Sequence, residues 1–67
     1  MHINRKIENF LRQFDYPPTR FGRKVAGDPR LVRDMRAGRT LGAALIEKAE
    51  SFMADYAAFN TAMEETA

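Results

Sequence analysis

Apolar and polar residues repeat with the period of an α-helix over the first fifteen positions. The apolar positions follow at spacings of 4, 3, 1 and 3 and are Ile3, Ile7, Phe10, Leu11 and Phe14. Such spacing forms one stripe on a helical surface. Pro17 disfavours helical backbone angles at Tyr16, so a helix that began near residue 3 would stop before it. The pattern predicts a first helix over about 3–15.

A second helix is predicted over about 18–26, beginning at a proline. Proline suits the first turn of a helix, where its missing N–H would have no helical partner. Phe21 and Val25 lie one turn apart and form the apolar face. Gly22, beside them, would let another helix approach closely. Gly27 can take the left-handed conformation that ends a helix.

A third helix is predicted over about 29–37, with Asp28 as its N-cap and Pro29 as its first residue, both favoured at those positions. Val32 and Met35 would face inward. The outward positions are Arg30, Arg33, Asp34 and Arg36. Because the turn between the second and third helices is short, the two should cross steeply, as in a helix-turn-helix.

The last helix is predicted over about 41–65, with Thr40 as its cap, and its composition is that of a strong helix former. Its apolar residues repeat at spacings of 4, 3, 4, 3 and 4 and are Leu45, Ala49, Phe52, Tyr56, Phe59 and Met63. This heptad spacing is typical of a helix-packing seam, the apolar face along which one helix packs against another. Leu45, Ile46, Ala49 and Phe52 can close over the helix-turn-helix, whereas the half beyond Ala54 lacks an evident partner in the same chain. Phe52, Tyr56, Phe59 and Met63 are therefore predicted to form a homodimer interface.

Charge divides the chain into a basic part and an acidic part. Residues 1–41 hold ten Lys/Arg against four Asp/Glu, and residues 42–67 hold one lysine against five acids. Eight of the eleven basic residues are arginine, the side chain best suited to forked contacts with phosphates and guanine edges. This division favours an anionic polymer as the partner of the first part.

The stretch from Phe21 to Arg39 resembles the helix-turn-helix of phage repressor and Cro proteins. Phe21-Gly22 fall at the family's Leu-Ala position, and Asp28 at its cap. Val25, Val32 and Met35 fall at core positions, Ala26-Gly27 at the turn, and Gly38-Arg39 at the close. The chain is also similar to short alphaproteobacterial regulators with PTRFGR, GDPR and RAGR motifs. Together these resemblances span about residues 16–53.

This resemblance implies an all-α fold, a single four-helix, lambda-repressor-like helix-turn-helix domain over residues 1–67. An extended fourth helix would replace the family's fifth helix. Two positions depart from the family pattern: alanine stands at 26, where the turn glycine is expected, and glycine stands at 27, where an apolar residue is expected. The turn is therefore expected to shift by one residue.

Double-stranded DNA is the partner that the resemblance implies, with the third helix in the major groove. Arg30, Arg33 and Asp34 are the candidate base-reading residues. Arginine pairs with guanine O6 and N7, and a carboxylate accepts from cytosine N4. Asp34 could instead orient Arg30, four residues before it. The candidate phosphate contacts are Thr19, Arg20, Arg23, Arg36, Arg39 and Thr40.

A homodimer would present two reading helices about 34 Å apart to an inverted repeat. The expected function is therefore that of a sequence-specific transcription regulator, such as a repressor. With no apolar run long enough for a signal peptide or a membrane span, we expect a soluble, cytoplasmic, nucleoid-associated protein with no membrane partner.

Enzyme chemistry finds little support in the composition. The chain has no cysteine, one histidine and one serine, Ser51, and nothing that predicts a nucleophile with its activating base. No catalytic residue, cofactor, metal site or small-molecule substrate is expected.

Two other interpretations of the arginines and the acidic helix stay open. An arginine run on a helix is most often a solvated face. The acidic last helix could dock into a protein partner, as in an antitoxin or a phage-type adaptor. RNA binding is disfavoured because most aromatic residues lie on packing stripes rather than on stacking platforms.

Overall fold

Four α-helices make up the secondary structure of the part of the chain that is described. The computed structural model describes the backbone of residues 2–66 and the side chains of residues 2–60. The helices are α1 (Ile3–Gln13), α2 (Pro18–Ala26), α3 (Leu31–Arg36) and α4 (Ala43–Thr66). The predicted all-α, four-helix fold class is confirmed, and the arrangement is compatible with a small helix-turn-helix-like domain.

Helix α1 is shorter than the pattern predicted, because the chain leaves helical geometry before Asp15. Phe14 is the C-cap, and Asp15 takes a left-handed conformation with φ 49°. The amide of Tyr16 then donates to the carbonyl of Leu11 at 2.9 Å, a closing bond of the kind that follows a left-handed C-terminal residue. At the other end, Nδ1 of His2 accepts from the amide of Asn4 at 3.1 Å. His2 is therefore the N-cap of α1.

Helix α2 has the predicted bounds, and Gly27 ends it as predicted. Gly27 adopts φ 64°, and the amide of Asp28 donates to the carbonyl of Gly22 at 3.1 Å. Gly22 is buried against the next segment. A Cβ at that position would collide with the carbonyl oxygen of Asp28 and lie 3.1 Å from the Cβ of Leu31. The expected close approach at Gly22 is therefore present.

Helix α3 is shorter than the predicted span of 29–37. Oδ1 of Asp28 accepts from the amide of Arg30 at 2.9 Å, so Asp28 does act as a cap. The carbonyl of Asp28 also accepts from the amide of Leu31 at 3.2 Å, which makes Pro29 and Arg30 a turn ahead of the helix. The prediction that Pro29 begins the helix is wrong for this reason. Leu31 is fully buried and joins the core of this segment.

Helix α4 begins at Ala43, where the carbonyl of Gly42 accepts from the amide of Ile46 at 2.9 Å. Thr40 lies three residues before that helix and is exposed, so the prediction that it caps α4 is wrong. Leu41, predicted as the first helical residue, lies ahead of α4 and is buried in the core. The buried side chain of Leu41 therefore anchors the connection between α3 and α4.

The core lies where α1, α2 and α3 meet the first half of α4. Its buried residues are Ile7, Phe10, Leu11, Tyr16, Phe21, Val25, Leu31, Val32, Met35, Leu41, Ala49 and Met53. An aromatic cluster centres on Phe10, whose ring centroid lies 5.0–6.0 Å from those of five neighbours. Those neighbours are Phe14, Tyr16, Phe21, Phe52 and Tyr56.

Two residues assigned to the dimer interface, Phe52 and Tyr56, contact their own chain. Both pack against the core, and the ring of Tyr56 lies 5.2 Å from that of Phe14. The premise that α4 lacks a partner beyond Ala54 is wrong, because α1 supplies one. Phe59 differs, since 65% of its surface is exposed. Met63 lies outside the described side chains.

Candidate nucleic-acid interface

Five exposed basic side chains lie on α2, in the turn before α3 and on α3, and all but Lys24 are predicted DNA contacts. Arg20, Arg23 and Lys24 lie on α2, Arg30 immediately precedes α3, and Arg33 lies within it; all five are exposed. Among the described side chains, none of these five takes part in an ion pair. We call these five residues the basic surface.

Arg30 and Arg33 are placed by the burial of their neighbours. Leu31, Val32 and Met35 fill the inner face of α3 and are at most 3% exposed. Arg33 therefore lies on the outer face of α3, and Arg30 is exposed in the turn that precedes this helix.

Asp34 does not pair with Arg30 but with Arg39. Nη1 of Arg39 lies 3.2 Å from Oδ2 of Asp28 and 3.4 Å from Oδ2 of Asp34. The amide of Arg39 also donates to the carbonyl of Asp34 at 2.9 Å. The amide of Arg30, and then the guanidinium of Arg39, lower the pKa of Asp28. We call Arg39, Asp28 and Asp34 the Arg39 bridge.

Arg36, a predicted phosphate contact, is engaged by Glu8 of α1. Its Nε and Nη2 donate to the two carboxylate oxygens of Glu8 at 2.8 and 2.7 Å. This forked geometry is the stronger kind of ion pair. The hydrogen bonds lower the pKa of Glu8 and raise that of Arg36. The pair joins α3 to α1, and it would have to open before Arg36 could grip a phosphate with its fork.

Replacing Glu8 with glutamine will remove part of the stability of the domain at neutral pH. Because the pKa of Glu8 is lowered in the folded state, its contribution is present above the ordinary pKa and lost as pH falls through the lowered value. For a partly exposed pair we expect about 0.2–1 kcal/mol. The thermal stabilities of the two proteins should differ near pH 7, and the difference should vanish as pH falls through the lowered pKa of Glu8. A difference that stays constant over this range would contradict the assignment.

The two predicted threonine contacts are exposed and lie apart in the chain. Thr19 is in the first turn of α2, which has no side-chain cap, and Thr40 is in the connection to α4. The site residues thus divide into three sets. The basic surface and the threonines are exposed, Arg36 is held by Glu8, and Arg39 and Asp34 are held in the Arg39 bridge.

Sequence reasoning missed the roles of Glu8 and His2 in holding α1. Glu8 lies 28 positions from Arg36, and a separation of that length gives no local signal. His2 gave no signal either, because histidine is not among the residues favoured at an N-cap.

The acidic residues of α4 lie on a different element from the basic surface. Glu47, Glu50 and Asp55 are exposed, and Glu50 accepts from Lys6 of α1 at 3.4 Å. The division of charge along the sequence is thereby also a division between helices.

Comparison with known proteins gives no family assignment. No protein-family model matches this chain, and no curated protein or solved structure matches it significantly. The resemblance to phage repressors stays a prediction from the motifs quoted above. Within residues 2–66, no helix is both long and apolar enough to cross a membrane.

Proposed function

We propose that this chain is a sequence-specific, double-stranded DNA-binding transcription regulator without enzymatic activity, working as a homodimer at the nucleoid. The observation that carries the proposal is the pair Arg30 and Arg33, one exposed in the turn before α3 and the other exposed on that short helix. Two nearby carboxylates, which would repel phosphates, are bound by Arg39. This surface is therefore open to an anionic partner.

The arginines of the basic surface and Thr19 have two different roles in this proposal. Arg30 and Arg33 would reach guanine O6 and N7 in the major groove. Thr19, Arg20 and Arg23 would contact the phosphates and set the orientation, as contacts to the backbone do in this class of complex. Asp34 would not read cytosine, because its carboxylate already accepts from Arg39.

A homodimer would read an inverted repeat with half-sites about 34 Å apart. Support comes from α4, where Phe59 is the large apolar side chain most exposed among those described. The chain also has a groove between α1 and α4, with Phe14, Met53 and Ala57 in its lining. A second copy could bury Phe59 against this groove. The interface would then be smaller than the predicted one, since Phe52 and Tyr56 are used within the chain.

The proposal predicts that Arg30→Ala and Arg23→Ala will weaken DNA binding in different ways. Loss of a base contact should cost about 1–3 kcal/mol on the preferred site and little on random duplex. Loss of a phosphate contact should weaken both alike and reduce the slope of log affinity against log salt by about 1. The measurement is a salt-dependent titration of each protein against a selected duplex and a random one.

The unaltered protein is titrated first. Micromolar-range binding to random duplex with a steep negative salt slope is expected from the phosphate contacts. Absence of binding at low salt would overturn the proposed function. Equal losses on both duplexes for Arg30→Ala would leave DNA binding intact but remove the assignment of Arg30 to base reading.

A protein-interaction module is the second candidate function, and Phe59 is the observation that favours it. An adaptor would keep such an apolar side chain exposed until its partner arrives, whereas a homodimer would bury it symmetrically. A protein that stays monomeric in solution and binds no DNA would favour the adaptor.

A further inference from the structure

Arg39 reaches back over α3 because of the glycine before it. Gly38 adopts φ 109°, in the left-handed region that favours glycine. The chain therefore turns at the end of α3, and the amide of Arg39 bonds to the carbonyl of Asp34 at 2.9 Å. From this position the guanidinium contacts both Asp28 and Asp34. One side chain thus joins the turn before α3 to the middle of that helix.

The two carboxylates of the Arg39 bridge lie in the segment that carries Arg30 and Arg33. Asp28 accepts from the amide of Arg30, and Asp34 follows Arg33 directly. A carboxylate that could swing freely there would repel a DNA phosphate. Arg39 holds both carboxylates and offsets part of their charge. The sequence position of Arg39 predicts a phosphate contact, but a guanidinium that left for a phosphate would leave the charges of both carboxylates uncompensated beside it.

We propose that Arg39 is a positioning residue for DNA recognition, which keeps Asp28 and Asp34 bound to itself while Arg30 and Arg33 face the DNA. This role rests on the proposed DNA-binding function. In the complex the bridge stays closed, and the guanidinium shields the phosphates from the two carboxylates. Exposed ion pairs contribute little to folding, so variants of the bridge remain folded and their DNA affinities can be compared.

A double-mutant cycle between Arg39 and Asp34 distinguishes a closed bridge from a phosphate contact. If the bridge stays closed, Asp34→Asn changes the affinity of the unaltered chain less than about twofold, because Asp28 still binds Arg39 and the guanidinium gains no phosphate contact. In the Arg39→Ala background the same change raises affinity about fivefold, because it removes a free carboxylate. If Arg39 instead leaves the bridge to bind a phosphate, Asp34 competes with the DNA for Arg39. Asp34→Asn then gives the larger gain in affinity in the unaltered chain.

The cycle is measured by titration of a random-sequence duplex at fixed ionic strength, with thermal unfolding of every variant. Arg39→Gln, which keeps part of the side-chain stem, replaces Arg39→Ala if the alanine variant melts below the assay temperature. The control is Arg12→Ala on α1, whose guanidinium bonds to Asn9 at 3.4 Å. The effect of Asp34→Asn should be the same with and without Arg12.

The outcomes separate this role from the proposed function. A gain from Asp34→Asn that is larger in the Arg39→Ala background supports the closed bridge. An equal or larger gain in the unaltered chain overturns it and leaves DNA binding in place. If the unaltered protein binds no duplex at low salt, the proposed function fails, and the role of Arg39 fails with it.

Discussion

Replacing Gly22 with alanine will lower the free energy of unfolding by about 1–3 kcal/mol, although alanine is the better helix former. The added Cβ would collide with the carbonyl oxygen of Asp28, which is backbone and cannot rotate away. It would also crowd the Cβ of Leu31 at 3.1 Å. In a domain of this size each kcal/mol shifts the melting temperature by about 4–8 °C. Urea and thermal denaturation would both measure the loss.

Gly42→Ala is the matched control for Gly22→Ala. A Cβ at Gly42 meets nothing within 4 Å, and no positive φ is required there. Gly42 precedes α4 and its loss would remove a favoured N-cap residue, so we expect a change of at most about 1 kcal/mol. If Gly22→Ala proved as stable as the unaltered chain, the close approach of α2 to the Asp28 turn would be refuted.

The same contact at Gly22 connects stability with the candidate interface. The carbonyl that faces Gly22 belongs to Asp28, whose side chain accepts from the amide of Arg30 and from Arg39. A shift of this turn would therefore move Arg30 and open the Arg39 bridge. Gly22→Ala should for this reason weaken DNA binding even at temperatures where the variant is folded.

Helix bounds were predictable where a local residue fixes the backbone. Helix α2 has the predicted ends because Pro18 suits a first turn and Gly27 supplies the left-handed C-cap. The end of α1 was not predictable, because the left-handed residue there is Asp15 rather than glycine. The start of α3 was misplaced because Asp28 caps a turn that precedes the helix.

Neither the ion-pair partners of the arginines nor the packing partner of α4 could be predicted from residue spacing. Arg36 and Arg39 look alike in the sequence, yet one is held by Glu8 across 28 positions and the other by two carboxylates. A seven-residue apolar repeat shows that a helix has a packing face but not which chain covers it. That is why the repeat alone favours a second subunit, although Phe52 and Tyr56 pack against the core of their own chain.

Replacing Phe52 with alanine will destabilise the single chain by about 2–4 kcal/mol, because its ring packs inside the domain. Its centroid lies 5.7–6.0 Å from those of Phe10, Tyr16 and Phe21. Denaturation at a protein concentration low enough to exclude dimers would measure this loss without a contribution from association.

Phe59→Ser should affect dimerisation rather than folding, since that side chain is 65% exposed. Its effect on the folding of the single chain should stay within about 0.5 kcal/mol, whereas the mass by light scattering should fall from dimer to monomer. If Phe52→Ala instead abolished the dimer and left the monomer as stable as before, the original assignment of Phe52 to the interface would be restored. If Phe59→Ser left a dimer intact, the second copy would have to bind elsewhere than at the groove between α1 and α4, and the spacing of the two reading helices would change with it.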